Sequence, residues 1–183
     1  MGSIEKKILF VFKNYTYDPC LHALKRWIKK LNNNTIYFEF SETERPRGIS
    51  KKANKRLVKL LRNNSFSIII VWNPLLNFDE LYEIKKNKSI NIIMLNGFTA
   101  LHSFNFQSQL EFFNYLSEFD GYFIPMEEHI NKLKKFNINA YYSPFFVDPF
   151  KYKKIKLPKF INTLFVGEVN QDWAINRYKF LAE

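Results

Sequence analysis

What most constrains this chain is a rhythm. Short β-branched and aromatic runs, bounded by charge or turn residues, alternate with stretches whose apolar residues recur at helical spacing. Ile8-Leu-Phe-Val-Phe12 is the first such run, and its length and composition predict a buried strand. After it, Leu21, Leu24, Trp27, Ile28 and Leu31 share one helical stripe, with Lys25, Arg26, Lys29 and Lys30 on the other side. Asn32-Asn-Asn34 ends that helix, and Thr35 to Phe40 predicts a second strand. The pattern then repeats. A helix capped by Ser50 carries Ala53, Leu57, Val58 and Leu61 inward. Strands follow at 67–72, 90–95, 121–125 and 140–146, with helices at 79–86, 107–119 (Leu110, Phe113, Tyr115 and Leu116 inward) and 127–136 between them. Strand-then-helix steps with short connections predict an α/β fold. Its form is a Rossmann-like, doubly wound, mostly parallel sheet with helices on both faces.

Residues 1–150 are expected to form this domain. Lys151 to Lys159, basic and flanked by prolines, reads as a linker over 151–160, and Ile161 to Val166 as a further strand followed by a helix. One strand and one helix cannot bury a core of their own, so 161–183 reads as the beginning of a second domain. The longest apolar runs are about five residues, against the ~20 of a membrane-spanning helix. The single cysteine, Cys20, leaves no internal disulfide and fits a reducing compartment. A cytoplasmic protein is expected.

The net charge of +11 is unevenly placed. Residues 1–64 carry fifteen Lys and Arg against five Asp and Glu, whereas 65–183 are nearly balanced. Such asymmetry concerns partners rather than fold. The helix after Ser50 presents Lys51, Lys52, Lys55, Arg56, Lys59 and Arg62, a candidate face for an anionic surface. With 20 Asn and 22 Lys, drift toward AT-rich codons explains part of the total but not the imbalance.

In open α/β sheets ligands bind beyond the carboxyl ends of the strands. That rule selects Asn14, Tyr15 and Tyr17 after the first strand, Trp72 and Asn73 after the third, Asn96 and Gly97 after the fourth, and Glu127 after the fifth. Aromatic rings there could stack on a sugar. His102 could accept a proton from an attacking hydroxyl, or be a plain loop histidine. Glu127 could contact a ligand or simply favour a helix N-terminus. The chain has no Walker loop, no GxGxxG after the first strand, no nucleophile elbow and no Cys/His metal spacing.

The order of elements resembles the N-terminal domain of GT-B glycosyltransferases, most closely the CgeB-type (spore-maturation) group. Lys7 to Phe12, Ile68 to Trp72 and Phe119 to Pro125 carry the likeness, with Pro144-Phe-Phe-Val-Asp-Pro149 before a domain crossover. Leu164-Phe-Val-Gly167 with Arg177 and Leu181 resembles the unit that opens the C-terminal domain. The resemblance implies that 1–150 bind a glycan, lipid-linked or protein acceptor. It also implies that 161–183 begin a donor-binding domain, most of which is missing. The donor would be a nucleotide-sugar, its phosphates approached by Gly167, with no covalently bound cofactor and no metal. Related sequences often carry an acidic pair after the fourth strand, where this chain has Asn96-Gly97. The basic helix would hold such a protein on the inner face of an anionic membrane. Two other readings stay open: a basic nucleic-acid-binding module, and a non-catalytic Rossmann-like interaction domain.

Overall fold

The computed structural model describes residues 6–13, 19–41, 43–44, 52–86, 89–95 and 109–144. By contacts the chain divides into two units, Met1–Tyr152 and Lys153–Glu183, and every described residue lies in the first. Six strands and five helices alternate: β1 (Ile8–Lys13), α1 (Pro19–Leu31), β2 (Thr35–Phe40), α2 (Lys55–Arg62), β3 (Ile68–Trp72), α3 (Phe78–Lys85), β4 (Asn91–Leu95), α4 (Gln109–Leu116), β5 (Gly121–Ile124), α5 (Glu127–Lys134) and β6 (Ala140–Tyr142). The strands form one sheet in the order β2-β1-β3-β4-β5-β6. All five pairings are parallel. This is the Rossmann-like α/β architecture that the alternation predicts.

The winding reverses once. From β1 the chain steps outward to β2, returns past β1 to β3, and then proceeds in one direction to β6. Right-handed crossovers therefore put α1 on one face and α2 to α5 on the other. The core divides the same way. Phe10, Phe12 and Trp72 cluster with Leu21 and Ile28 of α1. Leu9, Val11, Ile69, Val71, Ile92, Met94, Tyr122 and Ile124 cluster with buried residues of the other four helices. Alternate residues along a strand thus serve opposite cores, as the two-residue period requires.

Boundaries follow local chemistry. Pro19 opens α1, where a missing N–H costs nothing. The helix expected to be capped by Ser50 starts instead at Lys55 with Asn54 as its cap. Ser50 itself is outside the described residues. Asn54 wins because it is held from two sides. Its Oδ1 accepts from Leu57 N at 3.1 Å, and its own N–H donates to Glu80 Oε1 at 2.6 Å. In α4, Leu110 is 65% exposed rather than inward. The buried stripe is Phe112, Tyr115, Leu116 and Phe119, spaced i, i+3, i+4, i+7, while Leu110 sits about 200° around the helix from Phe112. The helix also ends at Leu116, three residues short of expectation, as Glu118 N and Phe119 N turn to carbonyls three residues back. β6 stops at Tyr142, just before Pro144, which has no N–H to give a ladder.

Glu80 is the one fully buried carboxylate among the described residues, at 0% exposure. Oε2 accepts from Asn77 N at 2.9 Å, closing a capping box with Asn77 Oδ1, which accepts from Glu80 N at 2.9 Å. Oε1 accepts from Asn54 N, twenty-six residues away. One side chain thereby fixes the starts of α2 and α3 together. Glu80→Gln, which leaves one oxygen to serve two buried N–H groups, should lower stability by about 2 kcal/mol, since an unmet buried donor costs roughly 1–3 kcal/mol. Urea unfolding should show a reduced midpoint at unchanged slope; an unmoved midpoint would mean these bonds do not contribute.

Candidate functional site

The reversal between β1 and β3 marks the place where open α/β sheets take their ligands, at the carboxyl edge. Two polar residues lie there, each only 4% exposed: Lys13, the last residue of β1, and Asn73, the first beyond β3. The β1–β3 ladder runs from Ile8↔Ile68 to Val11↔Val71. Lys13 and Asn73 each lie two residues beyond the last pair of that ladder. Lys13 follows Leu9 and Val11 on one strand face and is buried with them. Asn73 turns the chain with φ 65°, a conformation asparagine tolerates better than most residues. Its N–H donates to Leu95 O at 2.8 Å, which carries the turn across to the end of β4.

The other sequence-selected positions fall out differently. Trp72 is 1% exposed and packs in the α1-side core with Phe10 and Phe12, so its ring is core rather than a stacking surface. Glu127 is exposed in the first turn of α5, directly after β5, where the helix N-terminus favours a carboxylate. With β4 lying between β3 and β5, Glu127 stands two strands from Asn73, roughly 10 Å along the sheet. Asn14, Tyr15, Tyr17, Lys51, Asn96, Gly97, His102 and Gly167 lie outside the described residues. The sequence reading did not single out Lys13. A lysine continuing the inward alternation of a buried strand is the signal that could have found it.

The basic helix does not present a uniform cationic face. Arg56 is bound to Glu44 through Nε (2.9 Å) and Nη2 (2.8 Å), and Nη2 also donates to Glu39 O at 3.1 Å. Arg62 pairs with Glu83 at 3.2 Å, a carboxylate shared with Lys86 at 2.6 Å. Lys55, Lys59 and Arg62, with Ala53, Val58 and Asn63, line a shallow cavity of about 390 Å³ on the flank of α2. Lys52 is exposed ahead of the helix. The Arg56 hydrogen bonds hold the Glu44 carboxyl far below its ordinary range, helped by Ser41 and Asn54, and the Arg56 guanidinium is raised in return. Glu83 is lowered mainly by Lys86 and then by Arg62.

Chemically, the carboxyl edge at the switch point carries one buried lysine and one buried asparagine, each with an interaction of its own. Among the described residues no group of three or more His, Cys, Asp or Glu could hold a metal ion, and no helix is long and apolar enough to cross a membrane. No protein-family model matches the chain, and a search of the curated proteins finds no match.

The Glu44 network makes a pH prediction. A carboxyl whose folded-state pKa is depressed stabilises the fold above its unfolded value, here 4.5, and that stabilisation fades as the pH falls below it toward the folded value. Glu44→Gln should therefore unfold at a lower temperature than the parent chain at pH 7, with the gap closing as pH drops below 4.5. Thermal melts of the two proteins from pH 7 to pH 2 measure this, and a constant gap contradicts it.

Proposed function

We propose that this chain is the acceptor-side half of a GT-B glycosyltransferase of the CgeB-type kind, acting in the transfer of a sugar from a nucleotide-sugar to a glycan, lipid or protein acceptor. The observation that supports this reading most is positional. The segments that carry the resemblance, Lys7 to Phe12, Ile68 to Trp72 and Phe119 to Pro125, supply β1, β3 and β5 of one parallel sheet. The first two end at the switch point beside Lys13 and Asn73. In this reading Lys13 and Asn73 orient the acceptor, Glu127 lies at the far side of the same edge, and His102 is the proposed base. The nucleotide-sugar belongs to a donor domain opening near Gly167, and without that domain the two substrates are not brought together, so turnover is lost. A cytoplasmic location belongs to the same proposal.

A nucleic-acid module, suggested by the charge surplus with interleaved aromatics, has weaker support, because Arg56 and Arg62 within that surplus are engaged by Glu44 and Glu83. A glycan array followed by saturation-transfer NMR on the chain tests the transferase reading. It expects one class of saccharide to bind. Lys13→Met keeps the stem and removes the charge; for a ligand with an anionic group it should weaken binding about tenfold or more, the worth of a charged hydrogen bond. A folded chain that binds no saccharide would overturn the reading.

A further inference from the structure

β2 ends the sheet, and no strand lies beyond it. Its backbone groups alternate in direction. Ile8 N donates to Asn34 O at 3.1 Å, so Asn34, Ile36, Phe38 and Phe40 turn their polar groups toward β1. By the two-residue period Thr35, Tyr37 and Glu39 turn theirs outward. The strand is six residues long, and Tyr37 and Glu39 are exposed. A row of outward N–H and C=O groups is a template for pairing with another chain. One group in this row is already taken. Arg56 Nη2 donates to Glu39 O at 3.1 Å and to Glu44 Oε2 at 2.8 Å, while Nε donates to Glu44 Oε1 at 2.9 Å. The guanidinium also lies over the Phe38 ring, 5.1 Å from its centre. Carboxylate, aromatic face and edge carbonyl together fix Arg56 across the end of the row.

We infer that Arg56 guards the outer edge of β2 against pairing with the same strand of a second copy of this chain. Two copies related by a two-fold axis meet with their β2 strands antiparallel. The register that uses every outward group sets Tyr37 against Tyr37 of the second copy, and Thr35 against its Glu39. In that register each Glu39 O accepts from a Thr35 N–H of the other strand, and this is the carbonyl that Arg56 holds. Without Arg56 the pairing has much in its favour: the opposed tyrosines form an aromatic cross-strand pair, and no like charges stand directly opposite. With it, the acceptor is occupied and a charged group lies where the second strand would run. Glu44 makes the guard firm, because two hydrogen bonds to one carboxylate fix the plane of the guanidinium. Arg62, six residues along α2, pairs instead with Glu83 of α3. The inference is independent of sugar transfer.

The experiment is sedimentation velocity over a range of rising protein concentrations. The parent chain and Arg62→Met, which removes the matched charge from the same helix, are expected to keep the mass of one chain. Arg56→Met keeps the aliphatic stem and removes the fork, and its mass should rise with concentration toward twice that value. Arg56→Gln, a shorter uncharged replacement, should do the same. Adding Tyr37→Pro to either Arg56 variant should return it to one chain, because a proline there removes only the N–H that points outward. A role for Arg56 in stability alone would not respond to that proline. Near-UV circular dichroism confirms that each variant is folded. The inference is overturned if the folded Arg56 variants stay one chain at every concentration, if Arg62→Met associates as strongly, or if Tyr37→Pro leaves the association in place. It is equally overturned if the parent chain is already paired and Tyr37→Pro alone separates it.

Discussion

Everything in this domain is arranged around the burial of β1 on both faces. A parallel strand between two parallel neighbours leaves no side for water. Leu9, Phe10, Val11 and Phe12 are all 0–2% exposed, each gaining roughly 1.5–3 kcal/mol from burial. Leu9 and Val11 demand a helix layer on one face; Phe10 and Phe12 demand one on the other. The crossover to β2 supplies the second and the return to β3 begins the first. The reversal of winding is thus the topological consequence of a central strand with two apolar faces, and Lys13 and Asn73 end or follow the two strands between which it occurs.

The two layers are unequal, and polar interactions serve the larger one. Four helices lie on the Leu9 side. Glu80 joins the starts of two of them, and Asn54 passes the connection on: its Nδ2 donates to Glu44 Oε1 at 2.7 Å, and Glu44 holds Arg56. The chain of bonds runs from a buried carboxylate outward to an exposed ion pair, so its inner members bear on stability and its outer member responds to pH. Ring contacts add to the same layer, with Phe78 and Phe119 edge-on to Tyr115 at 5.8 and 5.2 Å. On the other face α1 stands as the helix of the smaller core.

The electrostatic picture changes once the fold is known. A count of charges makes α2 the natural anionic-surface face, yet the carboxylates of Glu44 and Glu83 reach its arginines from other elements. α1 has fewer cations, but none of its own residues is acidic, and it exposes apolar side chains with them.

The sequence by itself determined the strands and the fold class. Runs such as Ile8 to Phe12 and Thr35 to Phe40 have the length, branching and flanking charge of strands irrespective of what they pair with, and the spacing of Leu21, Leu24 and Ile28 forces a helix whatever lies beneath. It also held a capping box, Asn77-Phe-Asp-Glu80, that signals a helix start within four residues. Only the tertiary structure decided the strand order, the start of α2, the side of α4 that faces inward, and the company of each charge. Those depend on groups far apart in sequence: Asn54 caps because Glu80 reaches it, Trp72 is core because α1 covers it, and Val11 pairs with Val71 because β3 returns beside β1. Local patterns fix local conformation through sterics and periodicity. Pairing, burial and charge partnership are properties of distance in space, which a one-dimensional pattern does not contain.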